Sequence, residues 1–110
     1  MLEKLKELGV ETDRVLATLN GKQALYERLI FKFYDMVVKS DMREDNLVEI
    51  YERTHALKGA AGNLGMTPLF DAYVKILALI KNDDMDAVPE AIKEMLPVQD
   101  KIMTCIEQFK

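Results

Sequence analysis

The sequence predicts an all-α fold: an antiparallel up-down-up-down four-helix bundle preceded by one or two short N-terminal helices. Apolar residues recur at helical spacing almost throughout the chain. The segments that could be strands lack both strict alternation and hairpin turn pairs. Glycine, proline and short polar clusters divide the periodic stretches into four long segments and a brief lead-in. Length agrees with this division, because 110 residues with 49% hydrophobic content suffice for one core but not two. Residues 1–110 therefore read as a single domain.

In the lead-in, Leu2, Leu5 and Leu8 suggest a short amphipathic helix that Gly9 stops. Thr12 then reads as the N-cap of a brief helix through Leu19, ended by Gly21. A long helix spans residues 23 to 39, with Leu25, Leu29, Phe33, Met36 and Val37 on its core face. "SDMRED", residues 40 to 45, breaks the pattern. The next helix starts near Asp45 or Asn46 and runs to Leu64, with Gly65 as its C′ residue. Thr67 caps the following helix, with Pro68 in the first helical position, the favoured place for proline. Leu69, Tyr73, Ile76, Leu77 and Ile80 form its apolar face, and "KNDD" closes it. The last stretch, from about Asp84 to Phe109, repeats apolar residues at Val88, Ile92, Leu96, Ile102, Ile106 and Phe109, and Pro97 should kink it.

Long amphipathic helices joined by short polar turns bury their apolar faces best against one another, with the short N-terminal helices as a lid across one end. Bundles of this kind host unrelated functions, so architecture alone names no activity. Composition narrows the choice. A net charge of -4, with acids and bases interspersed, offers no basic patch for nucleic acid and no polybasic segment for a membrane. Cys105 stands alone, which leaves no disulfide framework and no cysteine metal site. "MLEKLKELG" is too charged for a signal peptide, and no apolar run approaches the roughly 20 residues of a membrane span. The expectation is a cytoplasmic protein that does not insert into a membrane.

The chemical signal lies in "THALKGAAGNLGMTP", residues 54 to 68, which holds the sole histidine, His55, and three of the five glycines. A glycine inside a helix costs about 1 kcal/mol relative to alanine, so Gly59 and Gly62 need a reason. On a wheel at about 100° per residue, Ile50, Leu57, Ala61 and Leu64 gather about 200° from His55 and mark the core side. His55 is thus expected to face solvent, in a stripe with Val48, Tyr51, Lys58, Gly59 and Gly62. Bare backbone around a protruding imidazole lets a large surface come close. Lys58, one turn on, places an ammonium beside whatever group the ring receives, which suits a phosphoryl group better than a metal cation.

"HALKGAAGNLG" resembles the signature of the histidine-containing phosphotransfer (HPt) domains of multistep two-component phosphorelays. That signature is a histidine, a lysine three on, a small residue four on, then an apolar residue and a glycine nine and ten on. The likeness covers most of the chain: "GVETDRVLATLNGKQALYERLIFKF" is similar to the opening of such domains, and "MTPLFDAYVKILALIKNDD" to the helix after the motif. Thr54 departs from the alanine that the family more often has before the histidine.

The resemblance implies that His55 is the phosphorylated residue, Lys58 its electrostatic partner, and Gly59 and Gly62 the clearance for an incoming receiver domain. The chain would be a phosphorelay intermediate that takes a phosphoryl group from a receiver aspartate and passes it to another. The implied partners are response-regulator receiver domains, a hybrid sensor kinase, or both. The chain itself is expected to be a monomer without metal or cofactor, the magnesium belonging to the receiver. It carries no Gly-rich phosphate loop and has no room for a nucleotide-binding domain, so it reads as a phosphocarrier and not as an enzyme that uses ATP.

Docking would use apolar residues near the histidine. Val48 and Tyr51 share its stripe, while Phe31 and Val38 fall off the core face of the preceding helix at i and i+7. Periodicity leaves open whether Phe31 and Val38 join that patch or pack under the N-terminal helices. Met36, Met95 and Met103 read as core filler, and a haem or copper site would need methionine ligands beside one histidine and one cysteine. The rival reading is a non-catalytic adaptor or dimerisation bundle whose glycine-lined face accepts a partner helix.

Overall fold

A computed structural model describes residues 1–40 and 46–110. Among these residues there are six α-helices and no strand: α1 (Leu2–Glu7), α2 (Thr12–Thr18), α3 (Gln23–Lys39), α4 (Leu47–Asn63), α5 (Thr67–Lys81) and α6 (Val88–Glu107), the last entered through a 3-10 turn (Met85–Ala87). α3 packs against α4 and α6, and α5 likewise packs against α4 and α6. The short α1 touches α2 and α6, and α2 touches α3. One continuous core results. It draws Tyr26, Ile30 and Phe33 from α3, Ile50 and Leu57 from α4, Leu69, Tyr73 and Ile76 from α5, and Met95, Ile102 and Ile106 from α6, with Leu5 and Val15 added by the short helices. Each such side chain stabilises by about 1.5–3 kcal/mol when removed from water.

The ends of α4 follow from local chemistry. The Asn46 side chain accepts hydrogen bonds from the backbone N–H groups of Val48 at 3.0 Å and Glu49 at 3.3 Å, the expected N-cap pattern. The alternative start at Asp45, and most of "SDMRED", lie outside the described residues; Ser40 caps α3, its hydroxyl donating to the Met36 carbonyl at 2.8 Å. At the other end Gly65 takes φ 74°, and its carbonyl accepts from the Glu11 N–H at 2.8 Å. The α4–α5 turn is thereby tied to the start of α2.

Two expected caps are corrected. Glu11 and Met66, not Thr12 and Thr67, hold the cap positions of α2 and α5, and neither makes a side-chain cap bond. Thr12 is buried, and the Thr67 hydroxyl instead donates to Glu11 Oε1 at 3.0 Å. The same carboxylate takes the Arg14 guanidinium, which together with Thr67 holds the Glu11 carboxyl below its ordinary range. A threonine next to a helix start can satisfy a distant acceptor as well as its own backbone, and here the cross-link between α2 and α5 wins.

Two core faces also differ from expectation. α3 buries Tyr26, Ile30, Phe33 and Val37; Leu25 is exposed, and Leu29 and Met36 pack only partly against the core. The face turns because Tyr26 is fully buried with its hydroxyl donating to the Leu64 carbonyl at 2.8 Å. α6 buries Val88, Ala91, Met95, Gln99, Ile102, Cys105 and Ile106, with Ile92 and Leu96 partly covered. Gln99 belongs on that stripe because its Oε1 accepts from the buried Tyr73 hydroxyl at 2.6 Å. Phe109 lies beyond the helix, exposed, with Lys4 Nζ 5.5 Å from its ring centre. α6 runs as one helix through Pro97.

Candidate functional site

The rotation of α4 is set by its buried stripe, Ile50, Thr54, Leu57 and Ala61, which leaves His55 exposed on the opposite side. Tyr51, one turn before it, is half-buried and stacks on the imidazole with ring centres 6.2 Å apart and planes at 25°. Lys58, one turn after it, is also half-buried. The wall facing them comes from α5. Its core residues turn Val74, Ala78 and Lys81 towards α4, and a groove of about 250 Å³ forms between Tyr51, His55 and Lys58 on one side and Val74, Leu77, Ala78 and Lys81 on the other.

Charge in this groove is one-sided. Among the described residues no carboxylate lines it, although the chain carries a net charge of -4. Among the described residues neither Lys58 nor Lys81 forms an ion pair, whereas Lys75, also on α5, is held by Glu94 of α6 at 2.9 Å. His55 makes no hydrogen bond there either, its one ring partner being Tyr51. An imidazole that makes no hydrogen bond among the described residues, in a groove it shares with two lysines that form no ion pair among them, can attack an electrophile that carries negative charge. Among the described residues no three His, Cys, Asp or Glu side chains gather to hold a metal ion.

A second groove adjoins the first. Leu47, Val48, Tyr51 and Glu52 of α4, Ile80 of α5 and Met85 of the 3-10 turn enclose about 390 Å³ of largely apolar space. Tyr51 borders both grooves, and Val48 is 67% exposed. The remaining expected site residues are dispersed. Phe31 is partly buried against the core and Val38 is 65% exposed, both on α3, and neither lines either groove.

The two motif glycines have different surroundings. A β-carbon on Gly59 would meet nothing within 4 Å, so the backbone there is open. On Gly62 it would lie 3.2 Å from the ring of Phe70, so this glycine seats α5 against α4 as well as sharing the histidine's stripe.

Lys81 and the walls Val74, Leu77 and Ala78 escaped the reading of the sequence. A signal for them exists: Val74, Ala78 and Lys81 stand at i, i+4 and i+7 on α5, a stripe bordering its core face. No helix among the described residues is long and apolar enough to cross a membrane. Comparison with protein-family models, curated proteins and solved structures found no match for this chain.

Proposed function

We propose that this chain is a histidine-containing phosphotransfer domain, a cytoplasmic, monomeric phosphocarrier built as an up-down-up-down four-helix bundle from α3 to α6. The observation that carries the reading is the exposed imidazole of His55 one helical turn from Lys58, whose ammonium forms no ion pair among the described residues, with open backbone at Gly59. A nitrogen of His55 attacks the phosphorus of a receiver's aspartyl phosphate. The P–O bond to the aspartate breaks, its electron pair leaving on the carboxylate, as the P–N bond forms. The proton on the other ring nitrogen is then free to pass to water. In the second half of the relay another receiver's carboxylate attacks the same phosphorus and the P–N pair returns to the ring. Phosphoryl transfer depends on positioning and on compensating charge on the equatorial oxygens, so a nucleophile on a rigid helix and a nearby cation suffice on this side. The receiver brings the magnesium.

The test is incubation with a phosphorylated receiver, and separately with acetyl phosphate, followed by intact-mass measurement. The reading requires a gain of one phosphoryl group from the receiver, acid-labile and base-stable, that is absent from His55→Gln. The apolar groove beside Tyr51 favours one second reading, an adaptor that binds a partner helix without chemistry. Binding of a partner with no phosphoryl gain at His55 would select it.

A further inference from the structure

We infer that the groove between α4 and α5 is an oxyanion site in which Lys81 is a second cation, holding the phosphoryl group of His55 from the side opposite Lys58. The inference rests on His55 being the phosphoryl acceptor. Lys58 and Lys81 come from different helices, line one groove with His55, and form no ion pair among the described residues. Lys75 shows that a lysine on α5 can find a carboxylate when one is within reach. No carboxylate of the described residues lines the groove, so among them the positive charge there is uncompensated.

The ligand class follows from the lining. Two ammonium groups match the charge of a phosphate dianion, and each can donate to different oxygens of a tetrahedral group. Val74, Leu77 and Ala78 offer apolar walls, without side-chain donors or acceptors to read a sugar or a base. About 250 Å³ accommodates a phosphoryl group with room for the attacking carboxylate. Lys58 is half-buried and Lys81 exposed, so the walls lower screening chiefly at Lys58. Tyr51, stacked on the imidazole, lines the same groove, so a group added to a ring nitrogen can occupy a space that both lysines also line.

Two arms test this on the whole chain at low ionic strength. In the first, inorganic phosphate is titrated and followed by ¹H–¹⁵N NMR. Shifts should concentrate at His55, Lys58 and the last turn of α5, and Lys81→Gln should weaken binding about three- to fivefold, the scale of one partly exposed charge pair. Lys81→Arg should restore it, and Lys75→Gln should leave it unchanged. In the second arm, phosphoramidate phosphorylates the protein: a nitrogen of His55 attacks phosphorus, the P–N bond to the amine breaks, and ammonia leaves with a proton. Lys81→Gln and Lys58→Gln should each slow this by a similar factor, with rescue by Lys81→Arg, at an unchanged unfolding midpoint.

A Lys81→Gln protein that matches wild type in the second arm overturns the inference, whether or not phosphate binding changes, because the cation then does not serve the group on His55. Failure of the phosphorelay reading looks different: receivers would transfer nothing to His55 while phosphoramidate phosphorylation still depended on both lysines.

Discussion

A β-carbon placed on Gly62 would stand 3.2 Å from two ring carbons of Phe70, whereas on Gly59, three residues earlier, it would meet nothing within 4 Å. One motif thus holds a packing glycine and an open one. Gly59→Gln should raise stability by up to about 1 kcal/mol, since nothing is displaced and the unfolded chain loses freedom. Gly62→Ala should gain less than Gly59→Ala, because the Phe70 ring must give by a few tenths of an ångström. Urea midpoints of the three variants check the order. Phosphoryl transfer should fall in Gly59→Gln, where a long side chain obstructs the approach to His55; normal transfer in a stabilised variant would remove the docking role of this glycine.

His55→Gln should lose phosphorylation while its stability stays within about 0.5 kcal/mol of wild type, as for other solvent-facing helical substitutions. The ring is exposed and makes no hydrogen bond among the described residues, so its removal leaves no buried partner unsatisfied. Loss of the Tyr51 stack is a minor cost. Thermal or urea unfolding decides: a penalty of several kcal/mol would make the imidazole structural.

Helix positions and the side of α4 that carries His55 were legible because they depend on apolar spacing and on one cap, Asn46, whose side chain acts locally. What the sequence hid depends on long-range partners. Tyr26 and Gln99 belong to buried faces only because Leu64 and Tyr73, 38 and 26 residues away, satisfy their polar atoms. Thr67 gives up a cap for Glu11, 56 residues away. Half of the candidate site was hidden for the same reason. The stripe of Val74, Ala78 and Lys81 is readable along α5, but Lys81 lines one groove with His55 only through the packing of α5 on α4, which spacing within a single helix does not reveal.

Gly65→Ala should destabilise by more than about 1 kcal/mol, in contrast to both glycines within α4. Its φ of 74° is a left-handed conformation that costs an L-residue about 1–2 kcal/mol. The added carbon would also stand 2.8 Å from Val15 Cγ2 and 3.0 Å from the Glu11 carbonyl oxygen. Backbone cannot step aside cheaply there, because the Glu11 N–H already bonds the Gly65 carbonyl at 2.8 Å. Equal urea midpoints for wild type and Gly65→Ala would show that the turn relaxes without cost.

Alkaline stability should depend on Tyr26. Its buried hydroxyl donates to the Leu64 carbonyl, and burial pushes the phenol from 10.0 up to about 12. Between those values the unfolded chain has lost the proton and the folded chain keeps it. The unfolded state then binds fewer protons, so stability is fully present below about pH 10 and falls as pH rises towards 12. Tyr73, buried and donating to Gln99, is shifted upward as well and acts in the same direction. Tyr26→Phe should cost about 1–2 kcal/mol at neutral pH, because the Leu64 carbonyl loses its buried partner. The same variant should lose stability less steeply in alkali, since one of the two protected phenols is gone. Urea midpoints from about pH 9 to about pH 11, spanning ionisation of an ordinary tyrosine, measure both effects. An alkaline slope unchanged by Tyr26→Phe would mean that this phenol ionises alike in the folded and unfolded chain.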